Sequence, residues 1–308
     1  MANLRIFVAS SSKVGIPVLQ HLMQTKAVSG VITSPDKPSG RGQKLSENDF
    51  ARFCSELNLS VFKPASHAEL NEILNLQKPD LVITVAYGRL IKKAELQIPK
   101  YGWLNIHFSL LPRWRGAAPV QYAILNGDQE TGVTVFKLDE GMDTGPIYSQ
   151  SAYKLLGKES TQELLEALSS NANYPLDRAL EMIGDGIMPT PQSDHGATLA
   201  PKFSKLAGKI DWDNTAIDID RKVRALNPWP GAWTSFEGLK LSVLEVSLDD
   251  TDESMKLSAG EFALAKELNV GTASGNIAIM NVKPEGKREM TAKEWLRGVQ
   301  DKSKLSFN

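Results

Sequence analysis

Asn105 and His107 stand close together in Trp103-Leu104-Asn105-Ile106-His107-Phe108-Ser109-Leu110-Leu111-Pro112. The first half of this run has the composition of a short buried strand, and alternation along a strand places both side chains on one face. An amide donor beside an imidazole at a strand end is an unusual pair to build for packing alone. Downstream, the alternating run 132–138 gives way to Asp139-Glu140-Gly141-Met142-Asp143-Thr144-Gly145-Pro146. Its glycines free the backbone for a tight turn, and its acids serve no apolar pattern. Asn105, His107 and Asp143 together suit acyl transfer. The amide donates to a developing oxyanion, the imidazole gives or takes a proton, and the carboxylate orients or charges the imidazole. A solitary histidine is more often structural, and His21, His67 and His195 have no such company. Asp139 reads as a residue that shapes the loop.

These groups need elements to hold them. Pro112 forces an extended exit from the strand, and Pro119 suits the first turn of a helix, so the segment reads as strand, rigid loop, helix. Upstream, an apolar strand over 4–9, a helix through Val18 and Leu22, and a strand over 28–33 make a β-loop-α-β opening. That pattern predicts a parallel sheet with helices on its faces. The turn after the first strand lacks G-x-G-x-x-G, so nothing there supports a dinucleotide site. The stretch 81–86 is almost wholly apolar, as in a strand covered on both faces, and it ends in Tyr87-Gly88. Carboxyl ends of strands form the ligand crevice of such sheets. Three such ends are expected to meet there, near Gly88, His107 and Asp139.

A chain of 308 residues suits two domains. Composition shifts after Gly186, where Pro189, Pro191 and Pro201 mark an extended linker. The last third has short strands at 234–236, 239–246, 270–272 and 277–282, divided by glycine turns and the acidic loop 249–253. This spacing favours a small β-barrel, most economically of the OB type. Thr291-Ala292-Lys293-Glu294 is a capping box that opens a closing helix. The expected division is 1–188, a linker over 189–207, and 208–308.

With 35 basic and 36 acidic residues, the net charge is -1. A nucleic-acid partner must therefore be held by a local patch. Pro35-Asp36-Lys37-Pro38-Ser39-Gly40-Arg41-Gly42-Gln43-Lys44 offers one. It reads either as a solvated surface loop or as a clamp on a phosphate-bearing partner, with Arg41 between glycines able to approach a backbone closely. Cys54, the single cysteine, sits among Phe50, Phe53 and Leu57 as core filler, which excludes an internal disulfide and fits a reducing compartment. No C-x-x-C or H-E-x-x-H pattern is present, and no metal is expected. No secretory leader pattern and no apolar run of ~20 residues occur, so no membrane partner and a cytoplasmic location are expected. Without a long exposed apolar seam, the expected state is a monomer.

The block from Asn105 to Pro119, with Asp139-x-Gly141-x-Asp143-Thr144-Gly145, resembles folate-dependent formyltransferases. Further motifs are similar to the tRNA-directed branch of that family. They are the 35–42 loop, Val85-Ala86-Tyr87-Gly88, the run Arg113-Trp114-Arg115-Gly116-Ala117-Ala118-Pro119-Val120-Gln121, Ile210-Asp211-Trp212 and Asn227-Pro228-Trp229-Pro230. The resemblance covers nearly the whole chain. It implies a Rossmann-like α/β formyltransferase domain with a parallel sheet, followed by an OB-like domain. It implies transfer of formyl from 10-formyltetrahydrofolate, as donor substrate, to the α-amine of methionine on initiator tRNA. The family's catalytic residues then fall on Asn105, His107 and Asp143. Its folate contacts fall on Ser109, Leu110, Leu111 and Pro112 and on Tyr87 and Gly88. Its tRNA-inserting loop carries Arg41, with Lys37 and Lys44 beside it. Asn105 and His107 would donate to the oxyanion, while Asp143 would hold His107 and accept the amine's proton. The alternatives are a formyltetrahydrofolate hydrolase, which has no need of the basic loop, and a formyltransferase for another amine. Two departures stand out. Ser10-Ser11-Ser12 replaces the family's usual Gly-Thr-Pro, and Phe108 stands where many members have a small residue.

Overall fold

The computed structural model describes residues 4–26, 28–39, 44–299 and 305–307. The chain divides into two compact units, the first made of Met1–Pro119, Glu130–Lys154 and Glu163–Pro201, the second of Val120–Gln129, Leu155–Gln162 and Lys202–Asn308.

In the first unit, β1 (Ile6–Ser10) leads through α1 (Ile16–Thr25) into β2 (Val28–Ile32). A separate two-stranded antiparallel sheet follows, β3 (Lys37–Ser39) with β4 (Lys44–Ser46). Then come α2 (Asp49–Glu56), β5 (Val61–Phe62), α3 (His67–Gln77), β6 (Leu81–Val85), α4 (Lys93–Leu96) and β7 (Trp103–His107). Asn48 and Ser66 cap α2 and α3, each accepting a backbone N–H of the first turn through its side-chain oxygen. α5 (Pro119–Asn126) belongs to the second unit after its first residue. The first unit continues with β8 (Glu130–Lys137) and β9 (Ile147–Lys154), most of α6 (Thr161–Ser170), and α7 (Asn173–Gly184).

The sheet has seven strands in the order β5-β2-β1-β6-β7-β8-β9. Every residue of β1 and β6 is buried, which is the both-faces-covered state that their apolar runs predict. The sheet is parallel from β5 to β7, but β8 runs antiparallel to β7, with Leu104 opposite Lys137 and His107 opposite Thr134. The end of β8 therefore lies beside the start of β7, where Leu138 N–H donates to Trp103 O at 2.8 Å. This corrects the expectation that the ends near Gly88, His107 and Asp139 converge. Asp139 sits at the opposite end of β7 from His107. β9 was not legible as a strand: its exposed edge alternates half-buried and exposed residues with little apolar contrast.

Over 189–204 the chain has no helix and only isolated bridge pairs, with a turn at 194–196, and a 3-10 turn follows at Lys205–Gly208. Residues 190–200 are hydrogen-bonded within the first unit. Thr190 exchanges both backbone bonds with Ile147, and Thr198 and Ala200 pair with the loop after β7.

The second unit folds α8 (Ala216–Leu226) and α9 (Ala292–Arg297) with an antiparallel, OB-like half-barrel. Its strands are β10 (Trp233–Phe236), β11 (Leu239–Ser247), β12 (Phe262–Leu264), β13 (Leu268–Thr272), β14 (Gly275–Pro284) and β15 (Met290–Thr291). The order is β10-β11-β14-β13-β12, with β15 on β14. β12 and β15 escape a sequence reading because they are too short to show alternation. The Thr291–Glu294 capping box forms as expected. Phe262 stacks on Phe307 at 4.4 Å between ring centroids, and Phe236 and Trp295 complete that aromatic core. Asn227 staples its turn, donating from Nδ2 to Val243 O and Leu244 O and accepting Ala232 N–H at Oδ1.

Candidate active site

β6 and β7 pair with Thr84 opposite Asn105. Thr84 is 4% exposed and is the one hydroxyl in an otherwise apolar strand. It donates from Oγ1 to Asn105 Oδ1 at 2.7 Å, and lies 3.0 Å from Leu104 O. With its carbonyl end engaged, Asn105 presents its Nδ2 hydrogens to whatever approaches the strand end. His107 is 5% exposed and turns its ring edge-on to Phe136. Its Nε2 lies 2.9 Å from Trp114 O. A carbonyl only accepts, so Nε2 carries the hydrogen and the neutral ring keeps its lone pair at Nδ1. Nδ1 is 3.7 Å from Asp143 Oδ2, too long for a hydrogen bond and close enough for charge to act. Burial pushes His107's pKa below the ordinary imidazole value, against the opposing pull of Asp143 and the Trp114 carbonyl.

The ring is therefore oriented by Trp114 rather than by Asp143, as the sequence would have had it. Asp143 is held by other partners. Its Oδ2 accepts Gly116 N–H at 2.8 Å, and its backbone has φ +53°. Asp139 accepts Thr144 Oγ1–H at 2.9 Å and Gly141 N–H at 3.0 Å, which gives it the loop-shaping part expected of it. Gly145 lies so close to its own strand that a Cβ there would fall 1.8 Å from Lys137 O. Gly145→Ala must therefore shift the loop that carries Asp143. The expected result is a loss of about 1–3 kcal/mol in urea unfolding together with reduced turnover.

The Ser109–Pro112 loop is fastened from beneath. Ser109 Oγ donates to Arg113 O at 2.6 Å, and Thr134 Oγ1 donates to Ser109 O at 2.6 Å and accepts Leu111 N–H at 3.1 Å. Gln150 Nε2 adds bonds to Leu111 O at 3.0 Å and Thr134 Oγ1 at 2.9 Å. Ser109 and Leu111 are buried, so Leu110 and Pro112 are the half-open members of the expected folate loop. Phe108 is also buried. Tyr87 is turned into the core with Phe7 and Trp103, where burial pushes its phenol up to about 12. Gly88, with φ +74° and open space where a Cβ would stand, is the part of that pair that lines an opening. Ser11, in the departing serine run, donates to Tyr87 O at 3.1 Å and accepts Ser34 N–H at 3.2 Å. It thereby joins the ends of β1, β2 and β6.

Lys37 and Lys44 are exposed on β3 and β4, while Arg41 lies outside the described residues. Lys63 bridges Asp36 at 2.7 Å and Glu47 at 2.6 Å, tying together the two ends of this small sheet. Among the described residues no three His, Cys, Asp or Glu are grouped to hold a metal ion, and no helix is long and apolar enough to cross a membrane. From sequence alone Thr84 and Gln150 have no site role, and Gln192 reads only as part of the linker. Thr84 left a signal, a hydroxyl inside an apolar strand. Gln150 and Gln192 left none, because most of what they bind is backbone remote in sequence.

A Rossmann-like sheet with an amide and a buried imidazole at one strand end, and a carboxylate 3.7 Å from the imidazole, is an arrangement suited to acyl-group transfer. The chain matches formyl transferase over residues 3–180 and the formyl transferase C-terminal domain over 202–300, and it belongs to the formyl transferase family. It is 37% identical over 305 residues to the methionyl-tRNA formyltransferase of Streptomyces griseus subsp. griseus, covering 96% of this chain and 97% of that one. Among solved structures, HypX from Aquifex aeolicus, determined with tetrahydrofolic acid, aligns with a TM-score of 0.67 at 21% identity. That alignment takes in 97% of this chain but spans only about half of HypX, 49%. A methionyl-tRNA formyltransferase from Clostridium thermocellum aligns at a TM-score of 0.56 and 18% identity, over 80% of this chain and 93% of that one.

Proposed function

We propose that this enzyme transfers the formyl group of 10-formyltetrahydrofolate to the α-amino group of methionine on initiator tRNA. The observation that carries the chemistry is His107, buried and neutral with its Nδ1 lone pair turned toward the Asp143 carboxylate. The substrate is argued from the similarity to methionyl-tRNA formyltransferases along nearly the whole chain.

The neutral amine attacks the formyl carbon, a C–N bond forms, and the carbonyl oxygen takes up negative charge. Asn105 Nδ2 donates to that oxygen. The proton shed by the amine passes to Nδ1 of His107, where the Asp143 carboxylate stabilises the imidazolium. Nδ1–H is then the donor toward the substrate that the neutral ring lacks, its one hydrogen being held on Nε2 by Trp114 O. It supports the oxyanion and supplies the proton to N10 of the folate as the old C–N bond breaks. The carbonyl re-forms, and tetrahydrofolate leaves. Leu110, Pro112 and Gly88 border the folate, with Ser109, Leu111 and Tyr87 shaping the wall behind them. Lys37, Arg41 and Lys44 meet tRNA phosphates. In this reading, residues 1–188 carry the chemistry, 208–308 hold tRNA, and 189–207 connect them. The enzyme acts as a monomer in the cytoplasm.

The test is formyl transfer from 10-formyltetrahydrofolate to methionine-charged initiator tRNA, beside uncharged and elongator tRNA. Rapid modification of the charged initiator alone is the expected result. Folate turnover with no formylated tRNA would instead favour a hydrolase or a different amine. Arg41→Ala is expected to raise KM for the charged tRNA several-fold more than Lys37→Ala does, with KM for the folate unchanged. Parent-like kinetics for charged tRNA in Arg41→Ala would remove this loop from the mechanism.

A further inference from the structure

The stretch 190–200 has no apolar period, yet it lies along the loop after β7. Trp114 N–H donates to Thr198 Oγ1 at 2.8 Å, Arg115 N–H to Thr198 O at 2.9 Å, and Ala200 N–H to Arg115 O at 2.7 Å. Within this strap, Gln192 reaches across to the acidic loop. Its Nε2 donates to Asp143 O at 2.9 Å and Gly145 O at 2.7 Å, and its Oε1 accepts Arg115 Nε–H at 3.1 Å. The polarity of this amide is set by its partners. Carbonyls have no hydrogen to give, and a guanidinium has no lone pair to offer. Arg115 is buried and further anchored on Asp194 Oδ1 at 3.2 Å and Ser193 O at 3.4 Å.

The residue gripped by this amide is itself strained. Asp143 is a non-glycine residue in left-handed backbone, a conformation that persists only where its surroundings over-determine it. Gln192 holds its carbonyl, and Gly116 holds its carboxylate. Arg115 and Gly116 belong to the same loop as Trp114, whose carbonyl orients His107. One loop thus fixes the imidazole and, through Gln192, the backbone that carries the carboxylate.

We infer that Gln192 is a positioning residue: by bridging Arg115 to the carbonyls of Asp143 and Gly145, it sets where the Asp143 carboxylate stands against His107. The inference rests on reading His107 and Asp143 as the groups that handle the proton. Among the described residues, the charge that acts on His107 is Asp143.

The test uses the full-length protein with Gln192→Glu and Gln192→Met, each also combined with Asp143→Asn. Glutamate keeps the length of the side chain but turns an oxygen toward two carbonyl oxygens. Methionine keeps the bulk and removes the donors, and it serves if the glutamate variant does not fold. Either change is expected to lower kcat for formyl transfer by about 10- to 100-fold, the scale of a small misplacement of reacting groups. KM for the folate should stay within about two-fold of the parent, and the acid limb of the kcat/KM profile should move. In the Asp143→Asn background, Gln192→Met should cost little more. Folded Gln192 variants with the parent's kcat and pH profile would overturn the inference while Asp143→Asn stays impaired. So would a full multiplicative loss in the double variant. If Asp143→Asn itself turns over like the parent, the reading of the site falls and the inference with it.

Discussion

Asn105→Ala is expected to lower kcat for formyl transfer by about 10²- to 10³-fold, the usual cost of one oxyanion donor, with KM for the folate nearly unchanged. The expectation follows from what the amide does in the resting protein. Its carbonyl end is taken by Thr84, and its Nδ2 hydrogens have no acceptor among the described residues. A donor waiting without an acceptor gains most when charge appears in front of it. That moment is the tetrahedral intermediate, so the loss should fall on kcat. Single-turnover rates with charged initiator tRNA separate this from slow product release. A loss confined to KM would mean that Asn105 grips the ground state instead.

His107→Gln is expected to reduce kcat/KM by about 10²- to 10⁴-fold, the range for a positioned general acid–base group, and to change the pH profile. Burial holds the His107 pKa below the ordinary imidazole value. The proton-accepting form therefore already dominates at neutral pH, and the enzyme's acid limb should lie below the ordinary imidazole range. Any limb that survives in His107→Gln belongs to the substrate amine, which must also be neutral to attack. Stability carries the matching sign. As pH falls, the unfolded chain takes the proton first. The stability is intact above the ordinary imidazole value and is lost through the window between it and the lower folded value. Urea melts across that window should show the loss in the parent and little of it in the variant. A limb of the parent at or above the ordinary imidazole value, absent from His107→Gln, would contradict the buried neutral ring.

The candidate residues were legible because few residue types suit acyl transfer. Asn105, His107 and Asp143 stand out from patterns that serve the core, and the structure brings His107 and Asp143 within 3.7 Å. The strands β1 and β6 were legible because burial on both faces demands unbroken apolar runs. Direction was not legible. Nothing local in Val133-Thr134-Val135 says that β8 runs against β7, since only the pairing with Leu104 and His107 decides it. The side taken by Tyr87 was equally hidden, because a tyrosine beside a glycine suits a pocket wall or a core, and the positive φ of Ala86 and Gly88 chooses the core. Gln192 was invisible for a different reason. Two of its partners are backbone carbonyls, which every residue carries, and the third, Arg115, is 77 residues away, so nothing local marks it.

The strap also bears on how this protein can be recombined with its relatives. By composition the join between the halves falls near residue 188, yet Gln192, Thr198 and Ala200 work for the sheet that precedes them. A graft cut at 188 gives the acidic loop a clasp inherited from another parent, and one cut after Pro201 keeps loop and clasp together. Exchanging the C-terminal part between homologues therefore leaves the acidic loop with its own clasp only at the later seam. At the earlier one, a change in turnover would report a mismatched clasp and be mistaken for altered selectivity.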